Sequence, residues 1–312
     1  MKILVTGGAG FIASNITDAY VKLGHEVVVV DNLSSGKKSN LNSRAKFYRA
    51  DIADAKKMAA IFEAERPALV NHHAAQIDVR KSVADPVFDA KTNIIGTINL
   101  LENCVKHGVE KIIFASSGGV MYGECGGAAP DESRIPMPMS PYGVAKRTVE
   151  LYLNYYSASY DFRYTALRYG NVYGPRQDPH GEAGVVAIFI KNMMAGEPVI
   201  IFGDGEQMRD YVFVDDIVAA NVLSLDLGDY EIINIGTGRT ESVNALFSEL
   251  SGISGYTKKP VYKSARRGEL FKSSLNAAKA KKILGWSAKT DFASGISKTY
   301  EYFLSHEKRG RL

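Results

Sequence analysis

The sequence predicts an α/β protein built on a doubly wound parallel sheet, and three observations predict it. Short β-branched runs alternate along the chain with longer amphipathic stretches. Runs such as Val27–Val30 are apolar on both faces, as strands covered by helices on either side must be. A glycine-rich turn, Thr6-Gly7-Gly8-Ala9-Gly10, joins the first such run to the first amphipathic stretch.

The expected strands are Lys2–Thr6, Glu26–Asp31, Lys46–Arg49, Ala68–His72, Lys111–Ser116 and Tyr164–Tyr169. Between them, apolar residues recur at helical spacing over Ile12–Leu23, Ala53–Glu65, Val87–Lys106 and Pro141–Tyr160. After Asn171 the rhythm loosens into the breaker residues Gly174, Pro175, Pro179, Gly181 and Gly184. Residues 1–172 are therefore expected to form the sheet domain and 173–312 a smaller, mixed α/β substrate-binding domain. Within the latter, residues 211–238, with a helix ending near Leu225 and a strand Glu231–Ile235, are expected to return to the sheet.

Composition bounds the function. The chain has 312 residues, 46% hydrophobic and 23% charged, which excludes disorder and collagen-like repeats. Lysine and arginine exceed the acids by 38 to 34, and a net charge of +4 spread along the chain gives no footprint for nucleic acid. The basic end at Lys308, Arg309 and Arg311 reads as a solvated terminus. Two cysteines, Cys104 and Cys125, cannot build a disulfide framework and suit a reduced compartment. No apolar run approaches the ~18 residues of a membrane span. Lys2 leads directly into Ile3, Leu4 and Val5 with no signal-peptide layout. The expectation is a cytoplasmic protein with no membrane, nucleic-acid or metal partner.

The glycine turn carries the first chemistry. Glycine lets the backbone turn tightly against a pyrophosphate whose charge meets the free N–H groups opening the next helix. Gly7, Gly10, Phe11 and Ile12 are the candidates, in a Rossmann-type arrangement. Asp31, ending the second strand, can accept hydrogen bonds from both ribose hydroxyls of an adenosine and would repel the extra phosphate of NADP, so the cofactor expected is NAD. Ala13 stands in the third glycine's place, a departure of one methyl. Asp51-Ile52 ends the third strand, where an adenine would lie, and Ala74-Ala75 ends the fourth. Either pair is also simply a strand end.

The second chemistry lies in Ser140-Pro141-Tyr142-Gly143-Val144-Ala145-Lys146. Ser140 is a good N-cap and Pro141 suits the first helical position, which puts Tyr142 and Lys146 on one face of the first turns. A phenolate at neutral pH needs its pKa lowered by about 3 units, roughly 4 kcal/mol. An ammonium about 6–7 Å away at an effective dielectric near 20 supplies ~2.5 kcal/mol, and the helix end adds about 0.3–1 kcal/mol. A positively charged nicotinamide supplies the remainder, so Tyr142 can serve as a general base once the cofactor is bound. A tyrosine four residues before a lysine is also often a ring packed under an alkyl stem. The hydroxyls of Ser116-Ser117, at the same edge of the sheet as the glycine turn, favour the catalytic reading.

These motifs resemble the extended short-chain dehydrogenase/reductase family, and within it the UDP-glucose 4-epimerases. The resemblance spans essentially the whole chain. It rests on Thr6–Ile12, Asp31-Asn32-Leu33, Asp51-Ile52, His73-Ala74-Ala75-Gln76, Ser116-Ser117 and the Tyr142–Lys146 pair. It rests further on Leu167-Arg168-Tyr169-Gly170-Asn171-Val172-Tyr173-Gly174-Pro175, and on Phe202-Gly203-Asp204-Gly205 leading to Arg209-Asp210-Tyr211.

What the resemblance implies is specific. Ser117 and Tyr142 flank the sugar 4-hydroxyl, and Lys146 holds the nicotinamide ribose. Asn32, Gln76, Asn93 and Tyr169 join the cofactor residues already named. Asn171 and Arg209 hold the nucleotide diphosphate, together with Arg266, two before Gly268. Ile200 and Phe202 border the uracil within Val199–Phe202, and Ser273 lies where residue size limits the sugar pocket. Asn15 replaces a usual histidine. The implied reaction interconverts UDP-glucose and UDP-galactose by transient oxidation at C4, in a homodimer. A small Ser273 leaves UDP-N-acetylglucosamine open, and the same trio serves UDP-glucuronate. A dehydratase carries an Asp-Glu pair where this chain has Gly118-Gly119. A decarboxylase and a non-catalytic NAD-binding protein are the remaining rivals.

Overall fold

The computed structural model describes residues 1–125, 127–180, 184–266 and 270–307. Gly181, Gly268, Lys308, Arg309 and Arg311 lie outside them.

The first half alternates as β1 (Lys2–Thr6), α1 (Phe11–Lys22), β2 (Glu26–Asp31), β3 (Lys46–Arg49), α2 (Ala55–Glu65) and β4 (Leu69–His72). It continues through α3 (Val79–Ala84), α4 (Pro86–Ala90), α5 (Gly96–His107), β5 (Lys111–Ser117), α6 (Pro141–Tyr160) and β6 (Arg163–Tyr169). The second half is shorter-paced: β7 (Asn171–Tyr173), α7 (Val185–Met194), β8 (Ile200–Phe202), β9 (Met208–Arg209), β10 (Tyr211–Phe213), α8 (Val214–Leu223) and β11 (Glu231–Ile235). It ends with β12 (Glu241–Ser242), α9 (Val243–Ser254), β13 (Val261–Lys263), β14 (Lys272–Ser273), α10 (Ala278–Leu284) and α11 (Phe292–Glu307).

Seven strands make one parallel sheet in the order β11-β6-β5-β4-β1-β2-β3. The strand order reverses between β1 and β4, and a crevice opens there beyond their carboxyl ends. Both faces are covered. Ile3, Val5, Val27 and Val29 share one core with Ile16 and Tyr20 of α1 and Ile217 of α8. Leu4, Val30, Val70 and Phe114 share the other with Phe62 of α2, Leu100 of α5 and Leu153 of α6. Each such side chain contributes about 1.5–3 kcal/mol on burial.

Beyond shifts of a single residue at element ends, three features differ from the sequence expectation, each for a local reason. Helix α2 starts at Ala55, not Ala53, because the Asp54 side chain caps it by accepting from Lys57 N. The single helix expected over Val87–Lys106 is α4, a π turn over Lys91–Ile95, and α5; the wider turn places Asn93 in the interior. The return to the sheet is also built differently. Only β11 joins the sheet, covered by α8, while β10 pairs with β7 in a separate two-stranded ladder. The return extends past residue 238, because Ala280, Leu284 and Trp286 enter the first core and Trp286 Nε1 donates to Asp216 O at 2.8 Å.

The rest packs on its own core, where Tyr173, Phe189, Ile201, Phe213, Leu246 and Phe303 meet. Among the described residues no helix is long and apolar enough to cross a membrane, and no group of His, Cys, Asp and Glu is placed to hold a metal.

Candidate functional site

The crevice is built from the strand ends upward. After β1 the chain turns at Gly7, whose φ is +72°, and a Cβ there would sit 2.7 Å from Ala74 N. Only glycine allows the turn to lie against the end of β4. A Cβ on Gly8 would sit 2.7 Å from Val29, so that glycine permits close approach to β2, and Ala13 is accommodated in the core at 2% exposure.

Gly10 is the N-cap of α1, with no side-chain cap and no acid in the first turn. Helices α2, α6 and α9 are capped by Asp54, Ser140 and Ser242. The first N–H groups of a helix have no partner within it. Those of Phe11 and Ile12 therefore point out of an uncapped positive helix end, and the arrangement fits a pyrophosphate.

Asp31 sits beside this turn. Its Oδ2 accepts from Ala9 N at 3.0 Å and its Oδ1 from Leu33 N at 2.7 Å, and each oxygen keeps a lone pair for a ribose hydroxyl. Asn32 Nδ2 donates to Asp51 Oδ2 at 2.8 Å, which joins the ends of β2 and β3. Next to Asp51, the Ile52 carbonyl accepts from Asn99 Nδ2 at 2.6 Å, and its side chain fills the space that Gly96 leaves open.

Past β4, Thr6 Oγ1 accepts from His73 N and Ala74 N at 3.2 Å each, and Ala74 and Ala75 are half-buried. Gln76 N donates to Asn93 Oδ1 at 2.8 Å, while Asn93 Nδ2 donates to Gln76 O at 2.9 Å and to Asp89 Oδ1 at 3.0 Å. Asn93 thus shapes the segment after β4 by clamping Gln76. The Tyr169 hydroxyl accepts from Asn221 Nδ2 at 2.8 Å and lies 3.2 Å from His73 Nε2, with the two rings stacked.

The serine, tyrosine and lysine meet at the end of β5. Ser117 is its last residue, and its hydroxyl acts on the Tyr142 phenol, favouring the ionised form. Ser140 accepts from Gly143 N and starts α6, so Tyr142 lies in its first turn and Lys146 one turn later. Lys146 Nζ donates to Ala115 O at 2.7 Å and lies 5.7 Å from the Tyr142 ring centroid. Burial lowers the Lys146 pKa to about 8 against the opposing charges of Asp89 and Glu150. Burial, then the Asp89 charge, pushes the Tyr142 phenol above its ordinary value, only partly countered by Ser117. The protein alone therefore holds Tyr142 neutral.

Helix α6 is anchored by Glu150, which accepts from Ser116 Oγ at 2.8 Å and from Arg168 Nε and Nη2 at 2.8 and 2.7 Å. On the far side of the crevice, Asn171 N donates to Asp210 O at 2.7 Å, and Asn171 Oδ1 is buried without a partner. That oxygen lies 3.5 Å from where a Cβ on Gly119 would be, and Ser273 Oγ donates to Gly119 O at 3.5 Å, so Asn171, Gly119 and Ser273 converge. Strand β14 pairs with β9 and sets Ser273 opposite Arg209. Arg209 Nη1 donates to Met208 O at 2.9 Å. The Arg266 guanidinium stacks 4.0 Å from the Phe202 ring centroid, and Ile200 and Phe202 flank buried Ile201 on β8. Asn15 donates to Phe11 O and Pro175 O, which ties α1 to the loop after β7.

Several residues around Tyr142 and Lys146 received no role from the sequence. His73 is one: burial, then the Lys146 charge, drives its pKa down to about 3, and its Nδ1 is buried without a partner. Asp89, Glu150, Arg168 and Asn221 are the others. The available signal was helical spacing, since Asp89 lies four residues before Asn93 and Glu150 four after Lys146.

Residues 3–236 match the model of the NAD dependent epimerase/dehydratase family. The chain is 44% identical over 306 residues to a putative UDP-glucose 4-epimerase of Methanocaldococcus jannaschii, covering 98% of this chain and 99% of that one. It is 54% identical to the crystal structure of Thermotoga maritima UDP-glucose 4-epimerase with UDP-glucose, covering 98% and 100% of the two chains with a TM-score of 0.97. Against the Thermus thermophilus UDP-glucose 4-epimerase in complex with NAD, identity is 43%, coverage 97% and 99%, and the TM-score 0.93.

Proposed function

Because the chain belongs to the NAD dependent epimerase/dehydratase family, we propose that it interconverts UDP-glucose and UDP-galactose by inverting C4, with NAD held as a resident cofactor. The observation that carries this reading is Lys146 Nζ 5.7 Å from the Tyr142 ring, with Ser117 at the strand end beside them, at the sheet edge that also presents an uncapped α1.

The seven-stranded half holds the cofactor. Gly7, Gly10, Phe11 and Ile12 take its pyrophosphate, Asp31 and Asn32 its adenosine ribose, and Asp51 and Ile52 border the adenine. Ala74, Ala75, Gln76, Asn93 and Tyr169 line the nicotinamide side. The smaller half, packed around Tyr173 and Phe213, holds the nucleotide sugar, with Asn171, Arg209 and Arg266 on the diphosphate and Ile200 and Phe202 beside the uracil. Guanidinium groups suit phosphate oxygens.

When bound, NAD supplies the acceptance of hydride from C4 and its return. Tyr142 takes the proton of the 4-hydroxyl as the hydroxyl becomes a carbonyl, and gives it back after the sugar has turned over. Ser117 hydrogen-bonds the same oxygen. Lys146, held by Ala115 O, keeps positive charge beside the phenol and binds the nicotinamide ribose. The arginines grip the nucleotide while the sugar stays loosely held, so either face can be presented. Dehydration is disfavoured because Gly118 and Gly119 carry no acid, and a Cβ on Gly118 would sit 2.4 Å from the Leu275 side chain, which would have to move to admit one.

Tyr142→Phe tests the reading: epimerisation falls at least about 100-fold, while the NAD content of the purified protein is unchanged. Turnover near that of the parent would overturn it. A second substrate, UDP-N-acetylglucosamine, is favoured by the small Ser273 facing Gly119. Cys104 and Cys125 are both free, which suits a reduced cytoplasm.

A further inference from the structure

Asp89 is buried at 1% exposure on α4, which packs against α6, the helix that bears Tyr142 and Lys146. Its Oδ1 accepts from Gln76 Nε2 and from Asn93 Nδ2, each at 3.0 Å. Its hydrogen-bond partners are therefore neutral amides rather than a cation, an expensive place for a carboxylate unless the charge has a use. The Asn93 side-chain amide in turn holds the Gln76 main chain through two hydrogen bonds, and Gln76 Oε1 accepts from Asp78 N at 2.7 Å. The segment that follows β4 is thus fastened to α4 and the π turn through one buried carboxylate.

We propose that Asp89 is a positioning residue of the cofactor site: it fixes Gln76 and Asn93 at the nicotinamide side and sets a buried negative charge against the Tyr142–Lys146 pair. The inference rests on the reaction assigned above. The charges around that pair are few. Asp89 faces it from α4 and Glu150 from α6, while His72 at the end of β4 and His73 after it are both held neutral by burial and by the Lys146 charge. From β5 come the Phe114 ring, Ala115 O and the Ser117 hydroxyl. Asp89 raises the pKa of both Tyr142 and Lys146, so its charge keeps Lys146 protonated to higher pH and holds the phenol back from ionising.

Two variants separate the hydrogen bonds from the charge. Asp89→Asn keeps an oxygen that accepts from both amides and loses only the charge. Its purified form retains as much NAD as the parent, and both limbs of its kcat–pH profile move to lower pH. Asp89→Ala loses both functions and leaves two buried amide donors unsatisfied, so NAD dissociates about tenfold faster or more. Retention is read as NAD released from the denatured protein after dialysis, with no sugar present, so a failure of the assigned reaction leaves this arm intact. Circular dichroism of both variants establishes that each is folded. An Asp89→Asn profile that superimposes on the parent's would refute the electrostatic part. A folded Asp89→Ala protein that retains NAD fully would refute the clamp.

Discussion

At the scale of single residues the chemistry turns on Lys146. Its ammonium is buried, donates to Ala115 O and lies near Tyr142, and burial brings its pKa to about 8. A lowered lysine pKa means that the charge supporting the phenol disappears as pH rises through that value. Epimerisation is therefore expected to decline above about pH 8, in a limb that Lys146→Met lacks along with most of its activity. A kcat–pH profile from neutral into the alkaline range measures this, and a profile that stays flat well above that value would show that Lys146 has another role. The sequence showed Tyr142 and Lys146 on one helical face, but not that burial and the Asp89 charge push the phenol up in the protein alone. Burial depends on what covers the site, and Asp89 and His73 come from segments distant in sequence.

Among the elements, legibility followed locality. Strands β1 to β6 were readable because runs such as Ile3, Leu4, Val5 and Val27–Val30 serve both faces of one sheet, and a parallel sheet covered on both sides demands such runs. The glycine turn was readable because its demand is steric and adjacent. The break between α4 and α5 was not readable: Val87–Lys106 keeps helical periodicity throughout, and one extra residue in a turn leaves that pattern nearly unchanged. Nor was the separate pairing of β10 with β7. Short strands carry too few residues to state their partner, and Tyr211–Phe213 was drawn off the sheet by the aromatic core around Tyr173 and Phe213. The convergence of Asn171, Gly119, Ser273 and Arg209 from four segments was legible only through resemblance.

For the whole molecule, α6 and the α4–α5 segment present an apolar outer face. Leu151, Tyr155 and Val144 recur along α6 at helical spacing, and Leu151 is 55% exposed, with Val87 and Ile95 exposed on the neighbouring segment at 62% and 56%. A contiguous face of this kind is what a two-fold interface buries, and we propose that two copies pair through these helices. Sedimentation should give twice the 34.0 kDa chain mass, and Leu151→Glu combined with Tyr155→Glu should give a monomer that keeps its secondary structure. A parent protein sedimenting at 34.0 kDa would exclude the pairing.

The central claim is that the seven-stranded half holds a resident cofactor and the smaller half a nucleotide sugar whose C4 is inverted. It is tested most directly by incubating the purified protein with UDP-galactose, without added NAD, and following the anomeric proton signals by NMR. The account predicts conversion to an equilibrium mixture with UDP-glucose, approached equally from either sugar. A folded protein carrying its full complement of NAD that leaves both sugars unchanged would contradict it.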